Sequence, residues 1–199
     1  MHVLLVLETA RKLLEKEKKL TKTTDVNGWS PLHYAAFYFA STRVLPVLLE
    51  YDASAAYIAE TEKKRTALHI AAIRGRVGVM KEIVSRCPAC CELVDNRGWN
   101  ALHYAVASKD RAVFLQCLKI PELARLGTKK DGKGNTHFHL IAALAREQKE
   151  WRYVLFNNSN GRQINGLNKR KLSVKDIYFG DFGEIQVINP LLCINCCDN

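Results

Sequence analysis

The residues of this chain that first suggest chemistry are its histidines, which recur at a nearly fixed interval. Residues 27–36 read NGWSPLHYAA and residues 97–106 read RGWNALHYAV, with a histidine at the same place in both. Four segments align on that histidine, and their histidines are His33, His69, His103 and His139. Imidazole is a general acid–base group and a common metal ligand. These four residues therefore form either a site or part of a scaffold.

The spacing of the four histidines argues against a shared metal ion or a catalytic centre. They lie 36, 34 and 36 residues apart, the period of a repeat in which each copy forms one supersecondary unit. Neighbouring units pack about 10 Å apart, the distance between packed helices, whereas zinc ligands lie about 2 Å from one ion. We therefore predict structural anchors, each hydrogen-bonded within its own or the adjacent repeat.

Cysteines give a second candidate for metal or redox chemistry. Two C-x-x-C pairs occur, each followed by a further cysteine: Cys87, Cys90 and Cys91, and Cys193, Cys196 and Cys197. The pairs lie 106 residues apart, far beyond the spacing of a four-cysteine zinc site, and no strand–helix context of a redox pair surrounds either one. We predict no metal and no cofactor, and thiols in a reducing compartment.

Each repeat is predicted to be a tight turn followed by two helices. The aligned segments begin at Asp25, Thr61, Asp95 and Asp131. A degraded fifth copy begins at Asn168, with Asp176 in the histidine position. Asp followed three residues later by Gly is typical of a turn in which glycine adopts a positive φ. A hydroxyl residue then caps a short helix with an apolar Leu and Ala stripe, and the apolar stretches 77–87 and 112–120 predict second helices.

Two copies depart from this turn pattern. The second has Lys64 in the glycine position and no Asp at its start, and the degraded fifth has Lys171 in the glycine position. A non-glycine residue at positive φ is uncommon. We therefore expect a different turn geometry in the second copy.

The recurring line D-x-x-G-x-[ST]-[PA]-L-H-x-A-A resembles the ankyrin repeat. The resemblance implies an all-α fold, an ankyrin-repeat solenoid of helix-turn-helix repeats with β-hairpin fingers. About four recognisable repeats and a partial N-terminal one are expected. Longer stretches, such as TALHIAAIRGRVGVMKEIVSRCPACCELVDNRGWNALHYAV and NKRKLSVKDIYFGDFGEIQ, are similar to the plant ankyrin-transmembrane proteins of the accelerated-cell-death type, over roughly residues 8–186.

That resemblance implies a non-catalytic role in protein–protein interaction, in plant defence and salicylic-acid-linked cell-death signalling. Family members carry a membrane domain after the ankyrin array. Here the tail VINPLLCINCCDN departs from the family pattern, and no window reaches the ~18 to 20 apolar residues of a membrane-spanning helix. The expected form is truncated before that domain and cytoplasmic, or held at the cytosolic face of a membrane by a partner. Full-length ankyrin-transmembrane relatives are candidate partners.

The period also predicts how the chain is divided. Ankyrin repeats are expected at residues 25–60, 61–94, 95–130 and 131–167. Flanking them we expect the second helix of a partial repeat at 1–24, a degenerate capping repeat at 168–186 and a divergent tail at 187–199.

The amino-acid composition is compatible with such a fold and indicates which kinds of partner the chain could bind. The 199 residues are 48% hydrophobic and 25% charged, ordinary values for a folded protein with a core. Lys and Arg number 30 against 20 Asp and Glu, and the net charge of +10 permits acidic proteins, nucleic acid or anionic lipid as partners. No G-x-x-x-x-G-K-[ST] phosphate loop occurs. We predict that the chain is not an enzyme.

Protein partners are expected on the concave face, which ankyrin arrays build from finger tips and the exposed side of the first helices. The resemblance implies finger contacts by Asn27, Trp29, Lys63, Arg65, Asn96, Arg97, Trp99, Lys133 and Asn135. First-helix contacts are implied for Phe37, Tyr38, Arg74 and Ser108. Trp and Arg are residue types that dominate binding energies. For the two tryptophans, packing against the next finger is the alternative.

Nucleic-acid or anionic-surface binding through basic finger residues is the alternative function. Its candidates are Lys63, Lys64, Arg65, Arg97, Lys129, Lys130 and Lys133. Phosphate contacts would make such binding salt-dependent, and Trp29 and Trp99 are placed to stack on bases. Protein binding is the expected function, since the chain has no recognised nucleic-acid module.

Overall fold

The computed structural model describes residues 2–38, 44–157 and 166–180, with side chains from residue 7 onwards. Its α-helices are α1 (His2–Lys16), α2 (Pro31–Tyr38), α3 (Val44–Tyr51), α4 (Ala67–Ile73), α5 (Val77–Arg86), α6 (Ala101–Ala107), α7 (Arg111–Cys117), α8 (Pro121–Ala124), α9 (His137–Glu147), α10 (Lys149–Asn157) and α11 (Val174–Phe179). Its 3-10 helices are η1 (Lys18–Lys22), η2 (Ala53–Tyr57), η3 (Pro88–Glu92) and η4 (Arg125–Thr128). The predicted all-α fold is confirmed.

The expected fingers are tight turns rather than strand pairs. Within the described residues no β-strand forms, and the β-type pairing there is an isolated antiparallel bridge between Ala59 and Thr66. The turns instead hydrogen-bond to one another through single backbone contacts.

The chain divides into two compact units, Met1–Asn96 and Arg97–Asn199. In the first unit, α2 packs against α3 and α4, while α5 packs against α3 and α4, and α1 packs against α3. Buried alanines, such as Ala35 and Ala36 on α2 and Ala71 and Ala72 on α4, add little bulk between these helices. Small side chains let neighbouring helices approach closely, so the first helices of successive repeats lie side by side.

In the second unit, α6 packs against α7, α8 and α9, and α9 packs in turn against α10 and α11. Large side chains fill its core, where Tyr104, Phe114 and Trp151 are fully buried. The rings of Phe114 and Trp151 lie 5.8 Å apart between centroids, within the range of favourable aromatic contact.

A second helix followed by a 3-10 turn recurs along the chain. It is seen in α3 with η2, in α5 with η3, and in α7 with α8 and η4. Helix α1 and η1, within residues 1–24, follow the same order. Helix α11 lies in the predicted capping repeat, whereas residues 181–186 and the predicted tail 187–199 lie outside the described residues.

In the part of the chain that the structure describes, no helix is both long enough and apolar enough to span a membrane.

Candidate functional site

The turns that precede the first helices share one backbone feature, a residue at positive φ in the same position. These residues are Gly28 at 80°, Lys64 at 60°, Gly98 at 79°, Gly134 at 80° and Lys171 at 60°. Glycine adopts this conformation freely, whereas a lysine there is strained by its Cβ atom. At Gly98 a Cβ atom would also lie 2.6 Å from the backbone nitrogen of Gly132, so the neighbouring turn leaves no room for a side chain.

A side-chain oxygen at the start of each of three turns holds the backbone together. Oδ1 of Asp25, Asp131 and Asn168 accepts hydrogen bonds from the N–H groups two and four residues later, at 2.7–3.0 Å. Short polar side chains favour such local bonds to their own turn. The leading Asp or Asn of the repeat is therefore a structural residue.

In the second copy the side-chain oxygen that closes the turn comes from Glu60. Oε1 of Glu60 accepts from the N–H groups of Lys63 and Arg65 at 2.8 and 3.1 Å. It also pairs with Arg65 Nε at 3.1 Å, and both side chains are buried. Burial alone would raise the pKa of Glu60, but the backbone hydrogen bonds and the Arg65 charge outweigh it and lower that pKa.

This finding resolves the expected irregularity of the second turn. The backbone N–H of Glu60 bonds to the carbonyl of Arg65, five residues on, whereas that of Asp25 bonds to Trp29, four residues on. The turn is thus one residue longer and begins at Glu60, not at Thr61. The longer glutamate side chain spans the extra residue, and Lys64 takes the glycine conformation.

Neighbouring turns bond to one another in a row within each unit. In the first unit, Thr61 N donates to Asn27 O and Asn96 N to Lys63 O, both at 3.0 Å. In the second unit, Gly132 N donates to Arg97 O at 2.7 Å and Lys169 N to Lys133 O at 3.0 Å. We name the row of tips at 27, 61–64 and 96 the first turn edge, and the row at 97, 132–133 and 169–171 the second turn edge.

The four anchor histidines are buried and bond to the backbone around them. Nδ1 accepts from the backbone N–H of the helix-capping residue three positions earlier, at 3.0–3.4 Å in all four copies. Nε2 of His33 and His103 lies 3.1 and 3.2 Å from a carbonyl oxygen of the following repeat, whereas Nε2 of His69 lies 3.2 Å from the carbonyl oxygen of Leu93, at the end of its own repeat. Nε2 of His139 makes no hydrogen bond within the described residues, although the backbone of Leu172 and Gly166 interacts with the ring. Each of the four rings is thus bonded to the cap of its own helix.

The electrostatics of these imidazoles also suit a structural role. Burial lowers the pKa of His33 and His139, and it lowers that of His69 to about 4. In the fifth turn Asp176 takes the histidine position, and its carboxylate accepts from Ser173 N at 2.7 Å. The position requires an acceptor for the backbone N–H of the helix-capping residue, so a carboxylate can replace the imidazole.

Metal and redox chemistry find no geometric support in the described residues. No three or more His, Cys, Asp or Glu side chains there are grouped so that they could hold a metal ion. Cys87, Cys90 and Cys91 are buried thiols, and a hydrogen bond with Cys91 together with burial raises the pKa of Cys90. Such thiols are poor nucleophiles. The second C-x-x-C pair, Cys193 and Cys196, lies outside the described residues.

The two tryptophans lie inside their repeats, each 7% exposed. Trp29 packs against Tyr34 and Phe37, with ring centroids 5.2 and 5.6 Å away. Trp99 donates from Nε1 to Asp131 Oδ2 at 3.1 Å, and the Arg97 guanidinium lies 4.1 Å above its ring. Packing against the next finger, one of the two alternatives for these residues, describes Trp99 through Asp131, whereas Trp29 packs on its own helix α2.

Of the thirteen residues expected to contact a partner, five are buried, so the expectation that they are exposed was wrong: Trp29, Phe37, Arg65, Trp99 and Asn135. The rings pack within the repeats, Arg65 pairs with Glu60, and Asn135 accepts from Asn168 Nδ2 at 2.9 Å. The exposed members are Asn27, Tyr38, Arg74, Asn96, Arg97 and Lys133, with Lys63 and Ser108 half-buried.

One exposed aromatic residue was missing from that set. Tyr34 is 40% exposed and Tyr38 55%, and their rings stack 6.2 Å apart at an interplanar angle of 8°. The Tyr34 hydroxyl donates to Asp25 Oδ2 at 2.5 Å, which fixes the first ring. The signal was available, because positions i and i+4 of α2 share a face that avoids Leu32 and Ala36.

Residues 44–122 match the family model of ankyrin repeats in three copies. No curated protein shows significant similarity to the chain. Ankyrin repeats are thus present, and they generally mediate protein–protein interaction.

Proposed function

We propose that the chain is a non-catalytic scaffold that binds a protein partner through its first helices and turns, the elements that form the concave face of ankyrin arrays. The observation that carries the proposal is the exposed aromatic stack of Tyr34 and Tyr38 on α2. We name Tyr34, Tyr38 and Arg74 the tyrosine face.

The tyrosine face has the chemistry of a binding hot spot. Tyr38 and Arg74 are exposed, and both contact buried Phe37: the Arg74 guanidinium lies 4.6 Å above its ring, and the Tyr38 ring centroid lies 4.8 Å from it. Tyrosine and arginine are enriched among the residues that dominate interface energies. The Tyr34 hydrogen bond and the ring stacking order these side chains before a partner arrives, and such preorganisation lowers the entropy lost on binding.

Polar residues around the tyrosine face supply the rim of this interface. Asn27, Lys63 and Asn96 lie on the first turn edge. Polar rims exclude water and add hydrogen bonds around an aromatic centre. In the second unit Arg97, Ser108 and Lys133 are the corresponding proposed contacts.

A role in plant defence or cell-death signalling is the finer part of the proposal. Its support is the similarity of TALHIAAIRGRVGVMKEIVSRCPACCELVDNRGWNALHYAV to the accelerated-cell-death type proteins. On that basis full-length ankyrin-transmembrane relatives are candidate partners, and the location is cytoplasmic or at the cytosolic face of a membrane through such a partner.

The test is affinity capture from plant tissue with three forms of the full chain: the natural sequence, Tyr38→Ala with Arg74→Ala, and a control. The control is Tyr153→Ala with Arg111→Ala, an exposed tyrosine with an arginine 5.8 Å above its ring in the second unit. We expect a captured protein to bind the tyrosine-face variant at least about tenfold more weakly and the control equally well.

Equal binding by all three forms would remove the tyrosine face from the proposal, provided that their melting temperatures agree. If no ankyrin-transmembrane relative is among the captured proteins, the proposed family of partners is wrong and the scaffold function remains.

A further inference from the structure

The second turn edge carries an excess of positive charge. Its exposed cations are Arg97, Lys133, Lys169, Arg170 and Lys171. The backbone bonds from Gly132 to Arg97 and from Lys169 to Lys133 place them in one row. Residues 97–99, 129–135 and 168–172 together contain seven Lys and Arg and one acidic residue, Asp131.

The acidic residues of these turns are directed inward, and Asp95, which begins the turn of Arg97, is buried. Asp131 is buried, and its carboxylate accepts from the N–H groups of Lys133 and Asn135 and from Nε1 of Trp99. At the next turn the corresponding residue is the neutral Asn168, whose amide performs the same task. The turns therefore form without placing a carboxylate among the exposed cations.

One cation of the row is already fixed in place. The Arg97 guanidinium lies on the ring of Trp99, and its Nη2 donates to the Tyr104 hydroxyl at 2.9 Å. A guanidinium held in this way is a positive charge at a fixed place on the edge.

We propose that the second turn edge binds an acidic peptide segment, a stretch of Asp and Glu residues in a protein partner. The inference rests on the proposed function, that the chain binds proteins, and adds the chemistry of what it binds. A row of exposed cations on rigid turns is complementary in charge to an extended acidic chain that lies along it.

The same residues fit nucleic acid and membranes less well. Single-strand sites combine cations with exposed aromatic rings, but Trp99 is buried beneath Arg97. Duplex reading places a helix or a strand in a groove, and this edge is made of turns. Amphipathic membrane-surface elements combine apolar residues with charge, whereas the tips at 97, 132–133 and 169–171 are Arg, Gly and Lys.

The test measures binding of a fluorescein-labelled peptide of alternating glutamate and serine to the full chain at about 50 mM salt, where screening is weak. The edge variant is Lys133→Glu with Lys169→Glu. The control is Lys12→Glu with Lys81→Glu, two exposed helical lysines outside the edge that give the same change in net charge. Single-stranded DNA and phosphatidylserine vesicles are measured in parallel.

We expect the edge variant to bind the peptide at least about tenfold more weakly and the control within about threefold of the natural chain. DNA and vesicles should bind more weakly than the peptide. Absence of peptide binding, or an equal loss in both variants, would overturn the proposal. Tighter, edge-dependent binding of DNA or of vesicles would instead assign the edge to that ligand. Partner capture that depends on Tyr38 and Arg74 would survive each of these failures, so the two proposals are separable.

Discussion

The first and second turn edges have the same backbone plan and different electrostatics. On the first edge Glu62 lies 3.6 Å from Lys63, and the buried pair of Glu60 and Arg65 neutralises itself. On the second edge the exposed tips are cations, and the acidic residues that begin its turns, Asp95 and Asp131, are buried. The bonds that build a turn use backbone groups and one leading side chain. Tip residues can therefore differ without changing the turn. The first unit thus carries an aromatic face and the second a basic edge.

A second difference concerns how the turns are closed. The Asp131 carboxylate closes a turn of the second edge by accepting from the backbone N–H groups of Lys133 and Asn135 and from Trp99 Nε1, all neutral donors. Glu60 closes a turn of the first edge through the backbone and through a buried arginine. The first edge should therefore depend more strongly on one ion pair.

The largest expected effect follows from that ion pair. Glu60→Ala would leave Arg65 as an unpaired buried charge and several N–H groups without their acceptor, and we expect the free energy of unfolding to fall by about 3–5 kcal/mol. Denaturant unfolding measures it. The matched control is Glu62→Ala at the exposed neighbour, expected within about 0.5 kcal/mol. A loss below about 1 kcal/mol for Glu60→Ala, the value of one ordinary hydrogen bond, would show that the first edge does not depend on the ion pair.

An intermediate effect concerns the buried histidines, which both units contain. Burial lowers the pKa of His69 to about 4 in the first unit and that of His137 to about 3 in the second. The unfolded chain takes up these protons near pH 6.5, before the folded chain does. These histidines therefore make their full contribution to the free energy of unfolding above pH 6.5. As the pH falls toward their pKa values in the folded chain, that free energy decreases by about 1.4 kcal/mol per pH unit for each such histidine.

Denaturant unfolding between pH 7 and pH 5 measures this loss. Carboxylates such as Asp52 and Asp176, whose pKa is lowered by hydrogen bonds from Ser54 and Ser173, lose their contribution only at lower pH. The control is His69→Gln, which removes one of these histidines. The free energy of unfolding of this variant should fall by about 1.4 kcal/mol less per pH unit. Stability that stays flat across this window would contradict the buried, neutral state of the imidazoles.

The repeat plan could be read from the sequence because the residues that carry it act locally. His33 and His103 recur with the same neighbours, and the capping residue and the histidine bond within three positions. The role of Glu60 could not be read, because alignment on the histidine conceals a turn that is one residue longer. The burial of Trp29 and Trp99 could not be predicted either. It depends on contacts with Phe37 and Asp131, which lie 8 and 32 positions further along the chain.

The smallest expected effect concerns lysine in place of glycine at positive φ. It tests whether this backbone strain destabilises the two edges equally. Lys64 and Lys171 hold φ at 60° where three other turns have glycine. Lys64→Gly removes the Cβ strain of about 1–2 kcal/mol but adds about 0.5–1 kcal/mol of unfolded-chain entropy, so we expect a net gain in stability of about 0.5 kcal/mol. The control Lys63→Gly, at the neighbouring position without positive φ, should lower stability by a similar amount. Unfolding of Lys171→Gly beside Lys64→Gly then compares the edges directly: equal gains mean equal strain, whereas a loss at either position would mean that the lysine side chain makes a stabilising contact that exceeds the strain.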